Sequence, residues 1–170
     1  MLRLVGTVLL TGGAAMLGFS ATARLERRVK NLREICGALE TMERELAFRL
    51  TSMPDLFRLL ERSAAPPVSD FFARCYRDMN RLGEYSLSEL WSTALDEIPM
   101  ELECDARSIL AALGGVLGQY GGENQQQALS LARVRMQSCL ACAVGERKRL
   151  GRVYGTLGLT GGVLLAILLL

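Results

Sequence analysis

Cys139-Leu-Ala-Cys142 is the one spacing in this sequence that matches a dithiol redox or metal-binding motif. Such a pair is reactive when it opens a helix beside a strand, because the helix terminus lowers a thiol pKa. Here Leu129, Ala132, Met136, Leu140 and Ala143 recur at helical spacing around it. Both sulfurs then fall mid-helix and share a face, which predicts small core residues. A zinc site would need two more ligands, and Cys36, Cys75 and Cys104 are scattered along the chain. The sequence holds no histidine, which removes the commonest general base and metal ligand. Gly114-Gly115 and Gly121-Gly122 lack the strand and lysine of a phosphate-binding loop. The first pair is read as helix packing, the second as a helix cap or loop. No catalytic residue, cofactor or metal is expected. A membrane thiol-redox protein using Cys139 and Cys142 is the alternative.

Charge is more informative. Between Gly83 and Ala106 stand seven acids with no intervening base: Glu84, Glu89, Asp96, Glu97, Glu101, Glu103 and Asp105. They are read either as a solvated face or, more sharply, as a docking surface for a basic partner. Basic residues collect elsewhere, as Arg24, Arg27, Arg28, Lys30 and Arg33 near one end and Arg147, Lys148, Arg149 and Arg152 near the other. Each Lys or Arg close to an anionic leaflet is worth ~1 kcal/mol, so the two clusters are expected to face a membrane. No aromatic residues interleave with them, which argues against nucleic acid.

Outside Arg24–Arg152 the only charged side chain is that of Arg3, and two uncharged runs of 20 and 18 residues remain, 4–23 and 153–170. As helices they measure about 30 and 27 Å, against a hydrocarbon core of ~30 Å. Each reads as a transmembrane helix. With basic flanks held inside, residues 24–152 are expected in the cytoplasm and both termini outside. Ala14 and Gly18, Gly151 and Gly155, and Gly158 and Gly162 have the small-residue spacing of helices packed in lipid, within one chain or between copies. If residues 1–23 were instead a cleaved signal peptide, the chain would be an exported, tail-anchored bundle.

The positioning elements are helices throughout. Leu32, Ile35, Leu39, Met42, Leu46 and Leu50 form one apolar stripe. Ser52, Pro54 and Asp55 open a second helix carrying Leu56, Leu59 and Leu60. A third, about 68–82, uses Phe71, Phe72, Cys75, Tyr76 and Met79 and stops at Gly83. Ser86-Leu-Ser-Glu89 is a capping box before Leu90, Trp91, Ala94 and Leu95. A fifth, about 102–117, buries Ile109, Leu110, Leu113 and Leu117, and a sixth starts near Asn124. The expected fold is all-α: an antiparallel cytoplasmic bundle of about six helices, residues 24–152, whose first and last helices lie side by side and continue into the spans.

Several stretches resemble the stage III sporulation protein AB family: ALETMERELAFRLTSMPDLF, LWSTAL, GGVLGQYGGENQQQAL and RVYGTLGLTGGVLLAILLL. The resemblance covers nearly the whole chain. It departs at Gln119-Tyr120-Gly121-Gly122, where the family tends to carry Ser-Asp, so the turn and any partner contact there are expected to differ. The resemblance implies a component of the channel between mother cell and forespore. It also implies a bundle in the mother-cell cytoplasm, similar to domains of the type II secretion inner-membrane platform protein. The implied partners are a secretion-type ATPase, stage III sporulation protein AA, and other channel membrane proteins. It implies no enzyme activity.

Overall fold

The computed structural model describes the backbone of residues 2–49, 51–117 and 122–169, and the side chains of residues 22–49, 51–117 and 124–151. Among the described residues six α-helices follow in order: α1 (Leu2–Arg44), α2 (Met53–Ser63), α3 (Val68–Asp78), α4 (Leu87–Glu97), α5 (Cys104–Leu117) and α6 (Gly122–Leu169). Among the described residues there is no strand, only an isolated bridge between Leu82 and Tyr85. The chain divides into two compact units, Arg28–Ala141 and Met1–Arg27 with Cys142–Leu170.

The core of the Arg28–Ala141 unit grows from the expected stripes. Leu32, Ile35, Leu39 and Met42 of α1 are buried, as are Leu129, Ala132 and Met136 of α6. Within this unit the two helices are joined by an ion pair, with Arg133 Nε 2.8 Å from Glu43 Oε2 and lying off the N–H axis. Burial of each such large aliphatic side chain contributes about 1.5–3 kcal/mol.

Two expectations shift where the backbone changes period. The α1 stripe does not run on to Leu46. A π-turn over Glu45–Arg49 widens the helix, so Glu45 is buried and Leu46 only half-buried. The Glu45 carboxylate is kept satisfied by the Thr51 hydroxyl, which donates to Oε2 at 2.9 Å. Leu50 lies outside the described residues. In α2, Phe57 rather than Leu59 completes the buried face with Leu56 and Leu60, and Leu59 is exposed. Ser52 holds the N-cap position, yet its hydroxyl donates to Asp55 Oδ2 at 2.6 Å instead of accepting a backbone N–H.

The third helix is shorter than its apolar pattern. It ends at Asp78, a 3₁₀ turn follows over Met79–Arg81, and Gly83 at φ +114° reverses the chain. Ser86 and Glu89 form both halves of the capping box on α4. α5 starts at Cys104, two residues later than expected, and Ile109 is half-buried.

Packing between α2, α3, α4 and α5 centres on four aromatic rings. Phe71 meets Trp91 edge-on at 4.8 Å and 90°, with Phe57 at 6.0 Å and Phe72 at 6.2 Å from the indole. Trp91 Nε1 donates to the Leu110 carbonyl at 2.8 Å, which ties α4 to α5. One turn along α5, Gly114 lies against the indole. A Cβ there would sit 2.2 Å from Trp91 Cδ1. Of the first glycine pair, Gly114 is therefore a packing device, while a Cβ at Gly115 would meet only the Ser88 hydroxyl at 4.0 Å. Gly118–Gly121 lie outside the described residues.

Among the described residues no helix is long and apolar enough to cross a membrane. The uncharged runs expected to do so, 4–23 and 153–170, are helical in backbone up to residue 169. Apart from Thr22 and Ala23, their side chains lie outside the described residues, including those of Ala14 and Val153. Gly18, Gly155, Gly158 and Gly162, expected to pack helices in lipid, fall outside as well. Gly151 is described, and a Cβ there would meet open space.

Candidate functional site

The acidic segment is spread over two helices and the two connections before and between them. Glu84 lies in the turn after the 3₁₀ helix, Glu89, Asp96 and Glu97 on α4, Glu101 and Glu103 in the α4–α5 loop, and Asp105 in the first turn of α5. The fold brings arginines to it from elsewhere. Arg74 of α3 clasps Glu97 through Nε at 2.7 Å and Nη2 at 3.3 Å. Its Nη1 binds Asp78 at 2.7 Å. Arg107 of α5 pairs with Asp96, and Arg28 of α1 pairs with Glu103. Glu89 is bound within the capping box, with Oε2 accepting from the Ser86 N–H at 2.8 Å. Glu101 takes φ +51°, the left-handed region, in a loop also anchored by Asn31, whose amide donates to the Met100 carbonyl at 2.7 Å. Glu84 and Asp105 make no hydrogen bond or ion pair through their carboxylates among the described residues. Much of the segment's charge therefore serves the fold itself.

These contacts have a titration signature. The Ser86 backbone N–H, then the Ser86 hydroxyl, lowers the Glu89 carboxyl, and the Arg74 hydrogen bond lowers that of Glu97. A carboxylate lowered on folding contributes stability above its unfolded value and loses it as pH falls through the folded one. Thermal stability should therefore hold from neutrality down to about pH 5 and then decline. Glu97→Gln should flatten part of that decline in a pH series of melting curves. An equally steep acid decline in this variant would show that the clasp does not contribute.

The basic clusters divide between the two units. Arg24, Arg27, Arg147, Lys148 and Arg149 belong to one, and Lys30 and Arg33 to the other. Arg24, Lys30, Arg33, Lys148 and Arg149 are exposed. Arg28 is different. Its side chain is 13% exposed and committed to Glu103, so the fold uses it internally. The Arg152 side chain lies outside the described residues.

The cysteines are all free thiols. Cys139 and Cys142 sit well inside α6, far along it from its N-terminus, but they are not the core residues expected: Cys139 is half-buried and Cys142 exposed. Burial pushes Cys36 up to about 11, with Cys139 adding to the rise and Arg133 opposing it. Burial, then the Asp78 carboxylate, pushes Cys75 up to about 12. Both are protonated thiols at neutral pH, which suits packing rather than nucleophilic attack. No group of three or more Cys, Asp or Glu among the described residues could hold a metal ion.

One basic feature escaped the sequence pattern: a groove between α2 and α3 lined by Arg58, Arg62 and Arg77. The available signal was the i,i+4 pair Arg58 and Arg62. It was diluted by Glu61 between them and by the distance in sequence to Arg77.

Three comparisons bear on this arrangement. The family model for stage III sporulation protein AB matches residues 3–170. The stage III sporulation protein AB of Bacillus subtilis (strain 168) is 24% identical over 172 residues, spanning 100% of both chains. A solved structure of a stage III sporulation protein AB has a TM-score of 0.66 and 22% identity, covering 72% of this chain and 98% of its own. That structural likeness supports the helical fold.

Proposed function

We propose that this chain, which belongs to the stage III sporulation protein AB family, serves as a non-catalytic membrane platform of the channel between mother cell and forespore. The observation that carries this reading is the continuity of two helices. α1 joins the uncharged run 4–23 to the buried stripe ending at Met42, and α6 joins the stripe from Leu129 to the uncharged run 153–170. A helix that spans lipid at one end and packs into a bundle at the other fixes that bundle to the membrane. The exposed basic residues near both junctions add attraction to anionic headgroups, worth ~1 kcal/mol each.

In this reading the bundle lies in the mother-cell cytoplasm and couples a secretion-type ATPase, stage III sporulation protein AA, to the membrane complex. Its part is mechanical. The aromatic centre and the Arg74, Arg107 and Arg28 clasps keep it rigid, so that a load applied to its surface reaches the spans undiminished. Spans from one chain or from several copies then share that load.

Glu84 and Asp105 are the informative positions for a docking test, because reversing them breaks no clasp. Reversal of Glu97 or Glu103 would disturb the bundle through Arg74 or Arg28. A photocrosslinker placed at residue 84 or 105 in sporulating cells should capture the ATPase, and E84K/D105K should weaken its co-purification at unchanged helicity. Full co-purification with this variant, together with crosslinks to other proteins only, would contradict docking through the acidic surface.

A further inference from the structure

We infer that the groove between α2 and α3 is a docking site for an acidic helical segment of a partner protein, which presents carboxylates one turn apart. The groove has a volume of about 510 Å³ and lies wholly within the Arg28–Ala141 unit. Its lining is Arg58, Glu61 and Arg62 of α2 and Ala73, Tyr76 and Arg77 of α3. Three arginines against one glutamate leave it cationic.

None of Arg58, Arg62 and Arg77 makes an ion pair among the described residues. All three are exposed. This sets them apart from Arg28, Arg74 and Arg107, which the fold spends on its own acids. Arg77 lies near enough to Glu97 to share its field, but Arg74 already holds that carboxylate. The guanidinium of Arg58 stands over the Tyr76 ring, 5.5 Å from its centroid, which restrains the fork without using its N–H donors.

Geometry selects the occupant. Arg58 and Arg62 are one helical turn apart, about 5–6 Å between Cβ atoms. That matches two carboxylates at the same spacing on a facing helix, each able to accept a bidentate pair. A small-molecule site would enclose most of its ligand, whereas every lining residue here is exposed or half-buried. A flat bilayer surface does not reach into a furrow between two helices as a convex helix does. Glu61 adds direction: it repels a uniformly acidic ligand and favours one with a basic or neutral residue beside its carboxylates. The inference stands on the groove whether or not the protein's partner is an ATPase.

The test uses the full chain in phosphatidylcholine nanodiscs and a fluorescent helical peptide with Glu pairs at i,i+4 spacing. Binding should saturate, and it should weaken as salt rises. R58E/R62E/R77E should lower affinity by about tenfold or more, since each charged hydrogen bond counts for about a tenfold factor. Reversal of Arg135, an exposed arginine of α6 outside the groove, should leave affinity unchanged. If the triple reversal loses helicity, R58Q/R62Q decides, with the same direction expected. Equal binding of a Gln-for-Glu peptide, equal loss on reversing Arg135, or wild-type affinity in the groove variants would overturn the site. Preferential displacement of the peptide by phosphatidylglycerol vesicles would overturn it in favour of a lipid surface.

Discussion

Replacing Trp91 with alanine is expected to cost about 3–5 kcal/mol and to lower the midpoint of thermal unfolding sharply. The indole is almost wholly buried and touches Phe57, Phe71 and Phe72. Its N–H also reaches the Leu110 carbonyl. Alanine therefore removes the ring contacts, opens a cavity and severs the tie between α4 and α5 in one step. Trp91→Phe should cost less, about 1–3 kcal/mol, because a ring remains and chiefly the hydrogen bond is lost. Circular dichroism melts of the two variants separate the contributions. Equal midpoints for Trp91→Ala and wild type would mean that the aromatic centre does not hold the bundle.

Gly114→Val should be comparably harmful, at about 3 kcal/mol, for the opposite reason of excess volume. A Cβ at residue 114 would lie 2.2 Å from Cδ1, 2.5 Å from Cγ and 2.8 Å from Nε1 of Trp91. The ring cannot retreat, being hemmed in by three phenylalanines and held by Leu110. Gly114→Ala should still destabilise, although better helix propensity returns about 1 kcal/mol. Glycines without such a neighbour should behave oppositely. A Cβ at Gly37 or Gly145 meets nothing within 4 Å, so alanine there should stabilise by up to about 1 kcal/mol. The two sites should also couple. With Trp91 reduced to Leu, the cost of Gly114→Ala should shrink by about 1 kcal/mol or more in a double-mutant cycle. Additive effects would contradict a direct contact.

The helices were legible in the sequence because burial imposes its period on a helical chain. The α1 stripe as far as Met42, the α6 stripe and the capping box at Ser86 all follow from local chemistry, as does the chain reversal at Gly83, although α3 itself ends earlier, at Asp78. What was not legible depends on residues far apart. The acidic run contains no base between Gly83 and Ala106, yet three of its acids, Asp96, Glu97 and Glu103, pair with arginines: one from α1, one from α3, and Arg107 just beyond it. Periodicity could not place Phe57 ahead of Leu59, since both fit an apolar face and only the packing against Phe72 and Trp91 decides. The π-turn at Glu45 likewise exchanges a leucine for a glutamate in the core, which no stripe of apolar residues announces. The groove arginines became visible only once α2 and α3 were laid against each other.

The platform reading is tested most directly by thiol accessibility in intact cells. Cys104 is exposed on the bundle surface, and residue 2 begins α1 beyond the uncharged run. A membrane-impermeant maleimide should label Cys104 only after permeabilisation, and should label a Leu2→Cys variant in intact cells. The chain should also stay with the membrane through a carbonate wash. Labelling of Cys104 in intact cells, or release of the chain by carbonate, would contradict a cytoplasmic bundle held by two spans.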